Sequence, residues 1–218
     1  MIKAIFFDLD GLLVDTDEII FKATNNALGE FNKKITREDF PKFFSLSGEQ
    51  FVHKIVLSHR LPITELEFSS KIDNKMDFSA IRLKKGADKI INFLKNKFTL
   101  ALVSNSTKQS VEKKISQLNV SKSFDLIVTL GEKTLPKPAP DIYILAAKQL
   151  HLKTSECVVF EDSENGIVAS KGAGCKTIFI PNNFIENPEI ISKKYKIATY
   201  YSLEEAKRYF NGCIQNET

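Results

Sequence analysis

Lys3-Ala4-Ile5-Phe6-Phe7-Asp8-Leu9-Asp10-Gly11 is the stretch on which the fold turns: an apolar run that ends in two acids and a glycine. Its aromatic and β-branched residues predict a strand over Lys3–Leu9. Residues i and i+2 of an extended chain project to the same side, so Asp8 and Asp10 address one place, and Gly11 lets the chain turn away. That place lies beyond the carboxyl end of the strand, where open parallel sheets bind ligands. Two carboxylates so close repel each other unless a cation or a shared proton intervenes. The competing reading is a turn in which the acids only cap backbone amides.

Beyond this strand, short β-branched and aromatic runs alternate with helical patterns, which predicts an α/β fold with a parallel sheet. Further strands are expected at Phe98–Val103, Phe124–Leu130, Cys157–Phe160 and Thr177–Ile180, with a weaker one at Ile197–Tyr200. Helices are expected at Ala87–Asn96, Thr107–Leu118, Asp141–Leu150, Asn165–Gly172 and Leu203–Phe210. One interval breaks the rhythm. From Asp15 to Ala80 no strand-like run occurs, and helical spacing dominates, as in Ile19, Ile20, Ala23 and Ala27 or Phe51, Ile55 and Val56. Residues 15–80 are therefore expected to form an all-helical insertion, with 1–14 and 81–218 forming the main domain.

Three more strand ends carry chemistry. Leu102-Val103-Ser104-Asn105-Ser106 places a hydroxyl before a helix start, an arrangement that suits an anion or, equally, an ordinary helix cap. In Leu135-Pro136-Lys137-Pro138-Ala139-Pro140-Asp141 three prolines stiffen the backbone around a lysine, and a helix is expected near Asp141. Lys137 is then either a fixed cation or a solvated turn residue, and Lys133 competes for the same role. Val159-Phe160-Glu161-Asp162-Ser163 sets adjacent acids directly after an apolar strand. They either face a cation such as Mg2+, which takes oxygen ligands, or cap the next helix. All four segments map to one edge of one sheet, and that convergence outweighs the separate alternatives.

Composition excludes several other classes. The chain has 218 residues, 43 % hydrophobic and 27 % charged, enough to bury a core without disulfides. Its 31 basic and 27 acidic residues are spread out, giving a net charge of +4 and no tail for nucleic acid or membrane. Cys157, Cys175 and Cys213 fit no zinc spacing and are expected as reduced thiols, and His53, His59 and His151 as surface or helix-face residues. No uncharged apolar stretch is long enough to cross a bilayer, and the N-terminal run is broken by Asp8 and Asp10, so a soluble, cytoplasmic protein is expected, as a monomer or weak homodimer.

The Asp8–Gly11 run, the Ser104 strand end, the segment Lys137–Asp141 and the Glu161-Asp162 pair resemble, in order and approximate spacing, the haloacid dehalogenase-like hydrolase superfamily. The helical insertion resembles the cap of its β-phosphoglucomutase-like phosphatases. The resemblance implies a Rossmann-like core with a mobile helical cap, and a Mg2+-dependent phosphatase acting on a small phosphorylated metabolite. It also implies roles. Asp8 attacks phosphorus and forms an aspartyl-phosphate. Asp10 protonates the leaving oxygen, then deprotonates water, and its carbonyl oxygen meets the metal. Ser104 and the Asn105 amide hold phosphoryl oxygens, Lys137 neutralises charge, and Glu161 and Asp162 join Asp8 at Mg2+. An acid at Asp10 favours phosphate esters over halides, because an alkoxide needs a proton on leaving. A sugar phosphomutase is the alternative. Against it, Ile20 stands where related mutases have a hinge histidine, and the stretch Phe43–Gln50 has no Arg or Lys. Phosphonate hydrolysis would require a cap lysine, for which Lys42 and Lys54 are the nearby residues. In a different class, an inactive phosphate-binding regulatory domain is expected to have lost Asp8, Asp10 or Lys137, and all three are present.

Overall fold

A computed structural model describes residues 1–44, 48–118, 120–131 and 134–215. Its centre is a six-stranded, fully parallel sheet. The strands are β1 (Ala4–Phe7), β2 (Thr99–Thr107), β3 (Leu126–Leu130), β4 (Cys157–Glu161), β5 (Lys176–Phe179) and β6 (Ala198–Thr199), in the order β3-β2-β1-β4-β5-β6. This is the doubly wound order, in which the chain leaves β1 to opposite sides and opens a crevice there. The fold class read from sequence is therefore the one observed, and every expected strand is present.

Side-chain alternation along β1 builds the two faces of the sheet. Ala4 and Phe6 join Ala101, Val103, Tyr143 and Val159 in one core, against α7 (Asp141–Gln149) and α8 (Glu164–Gly172). Ile5 and Phe7 point the other way, with Leu100, Leu102, Phe160 and Phe210, against α5 (Ala87–Leu94), α6 (Lys108–Ser116) and α10 (Leu203–Gln215). A strand buried on both faces must be apolar throughout, and Ala4–Phe7 is. One helix was not anticipated: α9 (Pro188–Tyr195), whose start is set by Pro188 in its first turn.

Between β1 and β2 lie α1 (Thr16–Gly29), α2 (Pro41–Phe44), α3 (Gly48–His59) and α4 (Glu65–Lys75), and no strand among the described residues. They enclose a third core of Ala23, Phe40, Phe51, Ile55, Phe68 and Ile72. Thr64 caps α4 through a reciprocal pair with Glu67. The chain returns to the sheet early: Ile81 already belongs to the main core, Val14 bridges Leu83, and Lys84 Nζ donates to the Gly11 carbonyl at 2.6 Å. Among the described residues no helix is long and apolar enough to cross a membrane. Cys157 and Cys175 are buried free thiols, pushed up by that burial to about 11 and about 12.

The Phe160 ring is fully buried between Phe7 at 4.9 Å and Phe210 at 5.9 Å. Phe160→Ala is expected to cost about 3–5 kcal/mol, read as a lower urea midpoint with an unchanged m-value.

Candidate active site

The four strand ends converge on one cavity of about 940 Å3, lined among others by Asp8, Asp10, Ser104, Asn105, Lys137 and Asp162. Asp8 follows β1 directly, its N–H bonded to the Phe160 carbonyl at 3.1 Å. Lys137 is buried and serves two acids at once: Nζ donates to Asp8 Oδ1 at 2.5 Å and to Glu161 Oε1 at 2.6 Å. Lys137 is thus no solvated turn residue, and Lys133 lies outside the described residues. Its backbone is clasped by Asn105, whose Oδ1 accepts the Lys137 N–H at 3.0 Å and whose Nδ2 donates to the Lys137 carbonyl at 3.4 Å.

Glu161 is completely buried and receives Tyr143 Oη at 2.5 Å as well as Lys137. Gly166 makes room for it, since a Cβ at that position would collide with the Glu161 carboxyl. Asp162 accepts from Asn182 Nδ2 at 2.8 Å. Gly11, at φ +80°, passes so close that a Cβ would strike Asp162 Oδ2. Neither acid caps the following helix. Ser163 does that, accepting the Gly166 N–H at 3.1 Å. Nor do Ser104 and Asn105 cap α6, because the strand runs four residues further than expected and Thr107 is the cap.

Oxygens of Asp8, Glu161 and Asp162 lie within 4.8 Å of one another, all buried. Three carboxylates face one ammonium there. Burial pushes the Asp8 carboxyl well up, Lys137 opposes it, and Glu161 and Asp162 add to it. Burial likewise drives Asp162 up, aided by Glu161 and Asp17. Such a site calls for a second cation, and its donors are all oxygen, which fits Mg2+.

Asp10 lives in a different field. Lys114 Nζ, from α6, donates to its Oδ1 at 2.5 Å; Ser106 Oγ donates to Oδ2 at 2.8 Å and Ser104 Oγ at 3.4 Å. Burial would raise this carboxyl, yet the Lys114 charge and the hydrogen bonds from Lys114 and Ser106 hold it below the ordinary carboxylate range. Lys114, Ser106, Tyr143 and Asn182 escaped the sequence reading. Lys114 alone left a signal: it sits three residues from Val111 and beside Ile115, on the edge of the α6 apolar stripe.

A family model for haloacid dehalogenase-like hydrolases matches residues 5–180. The chain belongs to this family and is an enzyme of that hydrolase class. It is 32 % identical over 184 residues to a bifunctional riboflavin kinase/FMN phosphatase of Arabidopsis thaliana, covering 83 % of this chain and 48 % of that protein, so the chain spans about half its length. It is 31 % identical over 196 residues to a probable pseudouridine-5′-phosphatase of Saccharomyces cerevisiae, covering 83 % of each. Among solved structures it is similar to CbbY from Rhodobacter sphaeroides in complex with phosphate, with a TM-score of 0.78, 25 % identity, and 94 % and 96 % of the two chains covered.

Asp17, in the first turn of α1, is buried with neither carboxylate oxygen hydrogen-bonded. Burial raises it to about 7, Lys84 opposes, and Asp15, Asp10 and Asp8 add to the rise. A folded pKa above the unfolded value of about 3.9 makes the folded state bind the extra proton, so this contribution falls as pH rises from about 4 through about 7. Asp17→Asn is therefore expected to stabilise the metal-free protein above pH 7, by about 1–3 kcal/mol, with little gain near pH 4. Thermal melts at both pH values check it. An equal effect at both would rule out a buried, strained Asp17.

Proposed function

We propose that this protein is a Mg2+-dependent phosphatase that hydrolyses a small phosphorylated metabolite through an aspartyl-phosphate on Asp8. The observation that carries this reading is the buried set of three carboxylates and one lysine at the carboxyl end of β1, open to the cavity through Asp8 and Asp162. The phosphatase names of both relatives support the same class. The reading divides the chain into a core, 1–14 and 81–218, and an inserted helical cap, 15–80, whose Ile19 and Ile20 line the same cavity. Of the stretch Phe43–Gln50, which bears on the phosphomutase alternative, residues 45–47 lie outside the described residues.

Asp8, Glu161 and Asp162 would hold the metal, with the Asp10 carbonyl oxygen as a further ligand. Bound Mg2+ would supply charge neutralisation, which lets an anionic carboxylate meet an anionic phosphate. Lys137 engages Asp8 Oδ1 and leaves Oδ2 to attack phosphorus. As the P–O bond to the leaving group breaks, a protonated Asp10 gives its proton to the departing oxygen. Ser104 Oγ and the Asn105 N–H donate to the phosphoryl oxygens. Asp10, now a carboxylate, takes a proton from water as that water attacks the aspartyl-phosphate, and inorganic phosphate leaves while Asp8 is restored.

Asp8→Asn removes the nucleophile while keeping its shape, and is expected to lower kcat/KM by about 10⁴-fold or more. Phosphate release from a panel of phosphorylated metabolites provides the assay, and a purified variant retaining a tenth of wild-type activity would end the assignment. EDTA is expected to abolish the wild-type rate and excess Mg2+ to restore it. Full activity in the chelated enzyme would remove the metal from the scheme.

A further inference from the structure

We infer that Asn182 and Phe184 are positioning residues for Asp162, through which seating of the helical segment sets the affinity of the metal site. This rests on the reading of Asp8, Glu161 and Asp162 as the Mg2+ ligands. Asn182 follows β5 and is buried although it lies in a loop. Its Nδ2 donates to Asp162 Oδ2 at 2.8 Å, and its Oδ1 accepts the Phe184 N–H at 2.9 Å. The second bond decides the first. An N–H can only donate, so it fixes which end of the Asn182 amide faces it and turns the NH2 group toward Asp162.

Phe184 itself belongs to the other layer. Its ring is buried in the core of the helical segment, 4.9 Å from Phe40 in an edge-to-face contact and 6.2 Å from Phe21. All other buried members of that core, among the described residues, lie between Ala23 and Ile72. The Arg37 guanidinium lies over both Phe21 and Phe184, at 5.1 and 5.9 Å, and is itself held by Glu18 at 2.8 and 2.7 Å. The helical segment thus grips the chain two residues from the amide that orients a metal carboxylate.

The consequence is a coupling. A helical segment that moves away takes the Phe184 ring with it or loses it; either way the Phe184 N–H leaves Asn182 Oδ1 and the amide is released. Asp162 then loses the fixed Asn182 donor at Oδ2. Partners of ligating carboxylates in metal sites typically carry about 10–100-fold in metal affinity. Coupling is reciprocal, so metal binding also favours the seated segment.

The test is calorimetric titration of Mg2+ into the purified full chain, without substrate. Asn182→Ala is expected to weaken Mg2+ about 10-fold or more. Phe184→Ala touches no proposed ligand, yet is expected to weaken it about 3–10-fold, and Phe184→Leu by less; the leucine variant also serves where the alanine variant does not fold. The double variant Asn182→Ala/Phe184→Ala is expected to bind as Asn182→Ala does, because Phe184 acts through Asn182. Phe68→Leu, a truncation elsewhere in the same core, is expected to lower Tm and leave the Mg2+ affinity within about twofold. Wild-type affinity in both Phe184 variants, equal weakening by Phe68→Leu, or a double variant weaker by the product of the two losses would overturn the inference and leave the phosphatase reading standing. A wild-type protein that binds no Mg2+ would overturn the metal reading itself, and this inference with it.

Discussion

Lys137 compensates more buried charge than any other side chain described in the protein. It is held within a proline-stiffened segment, braced by Asn105, and placed between Asp8 and Glu161, with the Val103 carbonyl and the Tyr143 ring as further company. Burial would drive its proton off, but the two carboxylates overcome that and hold it above its ordinary value, so it stays charged. Removing Lys137 would leave both carboxylates stranded in a low-dielectric site, and breaking a buried pair in this way costs about 3–5 kcal/mol. Four segments separated in sequence therefore have to arrive together: β1, β2, the Lys137 loop and β4. The parallel sheet meets this demand because all its strands end on one edge.

One ammonium does not balance three carboxylates. In an ordinary protein core the excess would be removed by protonation, and Asp8 and Asp162 do lean that way. A nucleophile cannot be protonated and still attack. The same imbalance that costs stability in the metal-free chain suits a small, hard cation, and the proposed chemistry would begin only once that cation had replaced the proton. Asp17, buried nearby without a donor, adds to the negative field.

The strand ends and their acids were legible because short-range rules govern them: a strand's parity puts Asp8 and Asp10 on one site, and adjacent acids after an apolar strand need an explanation in any fold. The helical character of 15–80 was legible from spacing alone. What the sequence left hidden depends on distance. Asn182 meets Asp162 across 20 residues and Lys114 meets Asp10 across 104, and no local pattern reports such pairs. Lys113 and Lys114 are adjacent, and only the phase of the α6 stripe tells which one turns inward. Asp17 looked ordinary because acids favour the first turn of a helix. The strand reading of β2 stopped at Val103, four residues before its end, because Ser104–Thr107 are polar; they remain strand because β3 pairs with them across an irregular register.

The two aspartates of the opening motif differ by two residues and are set in opposite senses. Asp8 is pushed up beside Glu161 and Asp162, and Asp10 is held down by Lys114 and Ser106. Neighbouring carboxyls whose environments separate their titration are suited to different tasks. In the proposed mechanism the resting Asp10 is already in the form that the second half-reaction uses, the carboxylate that takes a proton from water. The first half-reaction uses the acid form, and the means of reaching it lies in the same pair. Lys114 and Ser106 both line the cavity, so in the proposed mechanism a phosphate dianion entering it would compete with Asp10 for the same two donors. Each donor drawn toward the phosphate weakens the hold that keeps Asp10 charged and raises its affinity for the proton the leaving oxygen needs. Once its proton has gone to the leaving oxygen, Asp10 would again be the carboxylate, the form that Lys114 and Ser106 stabilise. A lysine on α6 shared between substrate and carboxylate would thus let Asp10 serve, in the proposed mechanism, as acid and then as base at one pH.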